Sequence, residues 1–100
     1  MKIRVIDITS ASDVKVKSDK ATVIIPSDEY IKLSKNEIGT LEGKQSHHIQ
    51  GIFMQGGIIN AGWEGILSIE LLIQGEVEIK KGDKVAHAII FETDEEVKYE

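Results

Sequence analysis

Apolar and polar residues alternate along most of the chain. Ile3, Val5 and Ile8 near the start, then Val14 and Val16, then the run "ATVIIP" at 21–26 carry the two-residue period and β-branched bias of strands. No stretch keeps helical spacing over a useful length. Strands are predicted at about residues 3–8, 13–17, 21–25, 30–33, 37–42, 49–54, 57–59, 66–73, 76–79 and 84–91. Turn formers such as "PSDE", "SKNE", "QGG", "NAGWEG", "QGE" and "KKGDK" separate them. This density of short strands predicts an all-β barrel or sandwich.

Two strands carry titratable groups on faces that otherwise read as buried. In "ILSIELLIQ" at 66–74, Leu67, Ile69, Leu71 and Ile73 share one wholly apolar face. Ile66, Ser68, Glu70, Leu72 and Gln74 share the other, so Glu70 stands between apolar neighbours. In "KVAHAIIF" at 84–91, His87 shares a face with Val85, Ile89 and Phe91. A barrel has one interior, yet both faces of the 66–73 strand look covered. The expected solution is that other subunits bury the second face, in an obligate homo-oligomer.

With 100 residues, 41% of them hydrophobic, the chain can close one modest core. A single domain over 1–92 is expected, followed by an acidic tail at 93–100. "ETDEEVKYE" at 92–100 sets five acids against Lys98, and most of the net charge of −5 comes from it. That balance argues against a broad electrostatic grip on nucleic acid or an anionic membrane. The chain has no cysteine, which excludes a disulfide framework and a thiolate metal site. No apolar run reaches membrane-spanning length, and "MKIRVIDITSASD" does not have the pattern of a signal peptide, so a cytoplasmic location is expected.

The candidate chemistry gathers in "GGIINAGWEG" at 56–65, where four glycines surround Asn60 and the only tryptophan, Trp63. By itself such a stretch is most simply a tight turn, with Asn60 as an ordinary turn residue. His47 and His48 are adjacent, so on a strand they would point to opposite faces, and no third metal ligand is evident. No metal site on the protein is expected.

The order of segments changes this picture. "IIPSDEYIKLSKNEIGTLEGKQS", followed by "QGIFMQGGIINAGWEGILSIELLIQGEVEIKKGDKVAHAIIFE", resembles the dUTPase and dCTP deaminase superfamily over about residues 11–92. "GIINAGWEG" is similar to that family's Gly-Ile-Asp-x-Gly-aromatic-x-Gly hairpin, and "KKGDKVAHAIIF" to its downstream strand. The resemblance implies a distorted β-barrel or β-clip, assembled as a homotrimer that binds a pyrimidine deoxynucleoside triphosphate between subunits. Mg²⁺ would be carried by the phosphates. Backbone groups of the hairpin, at Gly57, Ile58, Ile59 and Gly62, would read the base, where a side chain would block close approach. Trp63 would cover the deoxyribose. Lys44, Gln45 and Ser46 match the segment that holds phosphates, and His87 stands where the family carries glutamine. "SASD" at 10–13 matches the first motif weakly, with Asp13 its best-aligned residue.

At the two catalytic positions the resemblance points in different directions. Asn60 matches the aspartate that in dUTPases orients or deprotonates the water attacking the α-phosphorus. An amide can orient a water but cannot take its proton. Lys44 replaces an arginine and lacks its planar fork, Ile49 replaces a second arginine, and residues 93–100 show no glycine-rich arm. Glu70 matches the glutamate that moves protons in dCTP deaminases, and apolar neighbours are expected to push its pKa upward. Pairing with a lysine at a subunit interface is an equal alternative for it. The resemblance thus implies either hydrolysis of dUTP to dUMP and pyrophosphate or deamination of dCTP. The alternative is an inactive homologue acting as a nucleotide-sensing or structural trimer.

Overall fold

The computed structural model describes residues 1–43 and 51–98. Among the described residues there are seven strands and no helix: β1 (Lys2–Thr9), β2 (Val14–Lys32), β3 (Glu37–Gly43), β4 (Ile52–Met54), β5 (Gly57–Ile59), β6 (Glu64–Ile79) and β7 (Lys84–Glu92). All pairings are antiparallel. One sheet has the order β1-β7-β3-β5 and the other β2-β6-β4. The all-β expectation holds.

Five of the predicted strands merge into two. The 13–17, 21–25 and 30–33 segments are one strand, β2, and the 66–73 and 76–79 segments are one strand, β6. The polar clusters between them are bulges, with register shifts between Ser18 and Ala21 and between Pro26 and Tyr30. Gly75, at φ 100°, sits opposite Ser18 and continues the strand instead of reversing it. A bulge uses the same Gly, Ser and Asp residues as a turn, so local composition could not separate the two.

The core fills the space between the sheets. Ile8, Ile25, Ile69, Leu71, Ile73 and Ile90 are essentially inaccessible, and each contributes about 1.5–3 kcal/mol by its burial. The predicted inner face of β6 is confirmed at Ile69, Leu71 and Ile73. On β7 the prediction is inverted. Ala86, Ala88 and Ile90 point into the core, whereas His87, Ile89 and Phe91 lie on the outer side and only Val85, at the strand's start, is buried with them. Apart from His87 the strand is apolar on both faces, so alternation could not choose between them.

Both sheets carry apolar residues outward. On the first, Ile3 pairs with Phe91 and Val5 with Ile89, while Ile58 lies opposite Thr40; Ile3, Val5 and Ile58 are 57%, 60% and 69% exposed. On the second, Ile24 and Ile66 are 67% and 54% exposed.

Candidate functional site

The expected glycine-rich hairpin is a crossover turn: β5 pairs with β3 and β6 with β2 and β4, so the two strands that the turn joins lie in different sheets. The turn closes through Trp63 N–H donating to the Asn60 carbonyl at 3.1 Å. Gly62 adopts φ 78°, a left-handed conformation that L-residues enter only with strain. A second set of bonds ties the turn to the loop between β2 and β3. Gly62 N–H donates to Ser34 O at 3.0 Å, and Leu33 N–H donates to Trp63 O at 2.9 Å.

Trp63 is half-buried and packs on the core. Its indole lies over Gly65, where a Cβ would fall 3.1 Å from Trp63 Cζ2, so the glycine lets the ring lie down on its own strand. Gly57 differs. Among the described residues nothing beyond its chain neighbours lies within 4 Å of where its Cβ would be, so the glycine there leaves backbone open to close approach. Ile58 and Asn60 are exposed beside it, while the Ile59 side chain belongs to the core and offers only its backbone.

Glu70 lies elsewhere. It pairs with Ile24 on the second sheet's outer face and borders a shallow hollow of about 110 Å³ with Thr22, Phe53, Gln55 and Leu72. At about 3.3 Å per residue, roughly 20 Å of β6 separates it from the β5–β6 turn, so one chain does not bring Asn60 and Glu70 together. Glu70 is also exposed. The apolar enclosure expected around it is therefore not supplied by this chain.

His87 is 27% exposed in its side chain rather than buried, and stands between Asp7 on β1 and Glu42 on β3. Its Nε2 is 3.2 Å from Glu42 Oε2. Leu41, next to Glu42, pairs with Gly57, so this group reaches the same end of the first sheet as the glycine. Lys44, Gln45, Ser46, His47, His48 and Ile49 lie outside the described residues. Asp13 has a structural role, its Oδ1 accepting the Lys81 N–H at 2.8 Å and fixing the β6–β7 turn. Among the described residues, no three His, Cys, Asp or Glu side chains converge on a metal position.

Sequence reasoning missed two neighbours of the turn. Tyr30 Oη donates to Glu64 Oε2, and this bond, with some desolvation and the carboxylate's charge, raises the phenol's pKa. Glu37 accepts from Ser34 N–H and Ser34 Oγ, both at 2.9 Å, and its Oε2 meets Arg4 Nη2 at 3.2 Å. The Ser34 backbone bond is the main reason its carboxyl is held below the ordinary range, with Arg4 adding to it. Ser34 and Glu37 stand three residues apart in "SKNE", a spacing that signals a capped turn and could have flagged the corner.

A hollow of about 450 Å³ opens at the β2 and β6 bulges by Lys17, Asp19 and Glu76, at the opposite end of β6 from the β5–β6 turn.

Known proteins resemble this chain in sequence and in fold. The Pol polyprotein of equine infectious anemia virus is 37% identical over 73 residues, covering 71% of this chain and 6% of the polyprotein. The dCTP deaminase of Acidianus ambivalens is 33% identical over 72 residues, covering 71% of this chain and 42% of the relative. The "Probable deoxyuridine 5'-triphosphate nucleotidohydrolase" of Sulfolobus islandicus rod-shaped virus 1 is also 33% identical over 72 residues, with 46% of its length covered. The chain thus spans less than half the length of these relatives. Among solved structures, the equine infectious anemia virus dUTPase superposes with a TM-score of 0.73 at 27% identity, over 94% of this chain and 79% of that one. The dUTPase from phage phi11 of S. aureus shares the fold, with a TM-score of 0.75 at 18% identity over 99% and 96%. Residues 5–100 match the family model for dUTPase, and the chain belongs to the dUTPase family.

Proposed function

We propose that this chain binds a pyrimidine deoxynucleoside triphosphate at the β5–β6 turn and that the reaction its site is built for is hydrolysis of dUTP to dUMP and pyrophosphate. The carrying observation is the open backbone at Gly57, flanked by exposed Asn60 and by a Gly62 that its own turn requires. In this reading the backbone of Gly57–Ile59 and Gly62 reads the base, and Trp63 lies against the sugar. Lys44, Gln45 and Ser46 hold phosphates, and His87 lies at their edge. Asn60 orients the attacking water. Mg²⁺ enters with the nucleotide and supplies charge neutralisation on the phosphates, because no cage for it is built among the described residues.

The same reading has the chain work as a homotrimer. The exposed apolar residues Ile3, Val5, Ile58, Ile24 and Ile66 need cover, and a neighbouring subunit is the means of bringing a Glu70 to a β5–β6 turn. Sedimentation giving a stable monomer at micromolar concentration would count against it. A cytoplasmic location belongs to the proposal also; among the described residues no helix is long and apolar enough to cross a membrane.

A second reading is favoured by one observation, the amide of Asn60 where a base is needed. There the trimer binds nucleotide as a sensor or scaffold and turns nothing over. Incubation with Mg²⁺ and dUTP or dCTP, with products resolved, separates the two. Formation of dUMP supports hydrolysis, dUTP from dCTP transfers the main role to Glu70, and binding without product supports the second reading.

A further inference from the structure

The acidic segment after β7 reads in the sequence as solvated, yet it runs along the loop that anchors the β5–β6 turn. Thr93 N–H donates to Asn36 O at 2.8 Å, and Asn36 Nδ2 donates back to Thr93 O at 2.9 Å. Thr93 Oγ1 adds contacts to Asn36 O at 3.1 Å and to Glu95 O at 2.6 Å. Four residues on, Val97 N–H donates to Lys35 O at 2.9 Å, and Val97 is half-buried.

The other side of the same corner holds the glycine turn. Ser34 O accepts from Gly62 N–H at 3.0 Å, and Ser34 Oγ lies 2.6 Å from Asn36 Oδ1, so Asn36 touches both the tail and the residue that touches the turn. Lys35 Cγ is 3.9 Å from where a Gly62 Cβ would stand. The Trp63 N–H bond to Asn60 O fixes the turn's local shape, and the bonds to Ser34 and Leu33 fix where the turn sits on the molecule.

We propose that residues 93–97 form a strap in cis that sets the position of the nucleotide-binding turn, with Asn36 as the positioning residue that transmits it through Ser34. The proposal rests on the turn being the nucleotide site. Tail docking and nucleotide binding are then linked, and each strengthens the other by the same factor.

Trp63, the only tryptophan, reports on the turn without any need for activity. The test compares the full chain with Asn36→Ala, with Thr93→Val, and with a chain stopped after Glu92. Trp63 emission and acrylamide quenching, amide exchange at Gly62, Leu71 and Val97, and the Kd for α,β-imido-dUTP are measured on each. Loss of the strap should speed Gly62 exchange by about tenfold, leave Leu71 protected, raise Trp63 quenching and weaken the analogue by about 5- to 10-fold. In the full chain the analogue should slow Val97 exchange. If the shortened chain loses Leu71 protection as well, the two substitutions decide. Unchanged Gly62 exchange and Trp63 quenching, with Val97 exchange freed in either substitution, overturn the strap. If the full chain binds no pyrimidine nucleotide, the function reading fails, and the Gly62 and Trp63 measurements still decide the strap.

Discussion

The turn that carries Asn60 and the strand face that carries Glu70 are parts of one continuous β5–β6 segment, but they stand on different physical footings. The turn is complete within the chain: Gly62 takes the conformation it requires, Trp63 packs on Gly65, and Ser34 accepts the turn's N–H. The face around Glu70 has a buried reverse side at Ile69 and Leu71 and an uncovered front. A binding turn can thus be specified by one chain's backbone bonds, whereas a functional carboxylate in an apolar setting needs a second molecule to make that setting.

The largest expected effect tests whether the β5–β6 turn lacks only its base. Asn60→Asp should raise the rate of dUTP hydrolysis by about 10²- to 10⁴-fold, the range that a positioned base contributes. The readout is pyrophosphate release in Mg²⁺, and an unchanged rate would show that the site is lost more widely than at one atom. Next comes the contrast across β6. Leu71→Ala should cost about 2–5 kcal/mol in denaturant unfolding, by transfer and cavity terms together. Glu70→Gln, one residue away and exposed, should stay within about 0.5 kcal/mol for the isolated chain. A Glu70→Gln penalty that grows with protein concentration would place this face in a subunit contact.

How much of this was legible follows the same division. Alternation identified nearly every strand and the buried face of β6, because burial on one side imposes a period of two. It failed on β7, where "VAHAIIF" is apolar on both sides and only packing selects Ala86 and Ala88 for the interior. It broke β2 at "PSDE" because a bulge and a turn share their residues. The β5–β6 turn was legible through its glycines and aromatic, but not that its two strands lie in different sheets. The corner at 34–37 was legible as a turn in "SKNE", but its partners Gly62, Thr93 and Arg4 were not, since only the fold brings them there.

A smaller effect separates the glycines within the β5–β6 segment. Gly62→Ala must hold a Cβ at φ 78° and should cost about 1–2 kcal/mol of stability. Gly57→Ala meets nothing within 4 Å among the described residues, so melting should barely move while affinity for a pyrimidine nucleotide falls. Equal losses of stability at the two positions would remove the distinction between a glycine kept for its own turn and one kept for a ligand.

The smallest effect is the pH dependence of the corner. Glu37 has its carboxyl pKa lowered in the folded chain, first by the Ser34 N–H and also by Arg4. A depressed acid pKa means that the unfolded chain takes up the proton first, so the stabilisation is fully present above the ordinary value of 4.5 and is lost as pH falls through the folded value. Thermal unfolding followed from pH 6 downward should therefore lose stability below about 4.5, and Glu37→Gln should flatten that part of the profile. Because Ser34 also holds Gly62, the same acid range should increase quenching of Trp63 before the β6 core opens. Simultaneous loss of Trp63 and core signals would mean that the corner and the barrel melt as one unit, and that the turn is no more separable from the fold than Leu71 is.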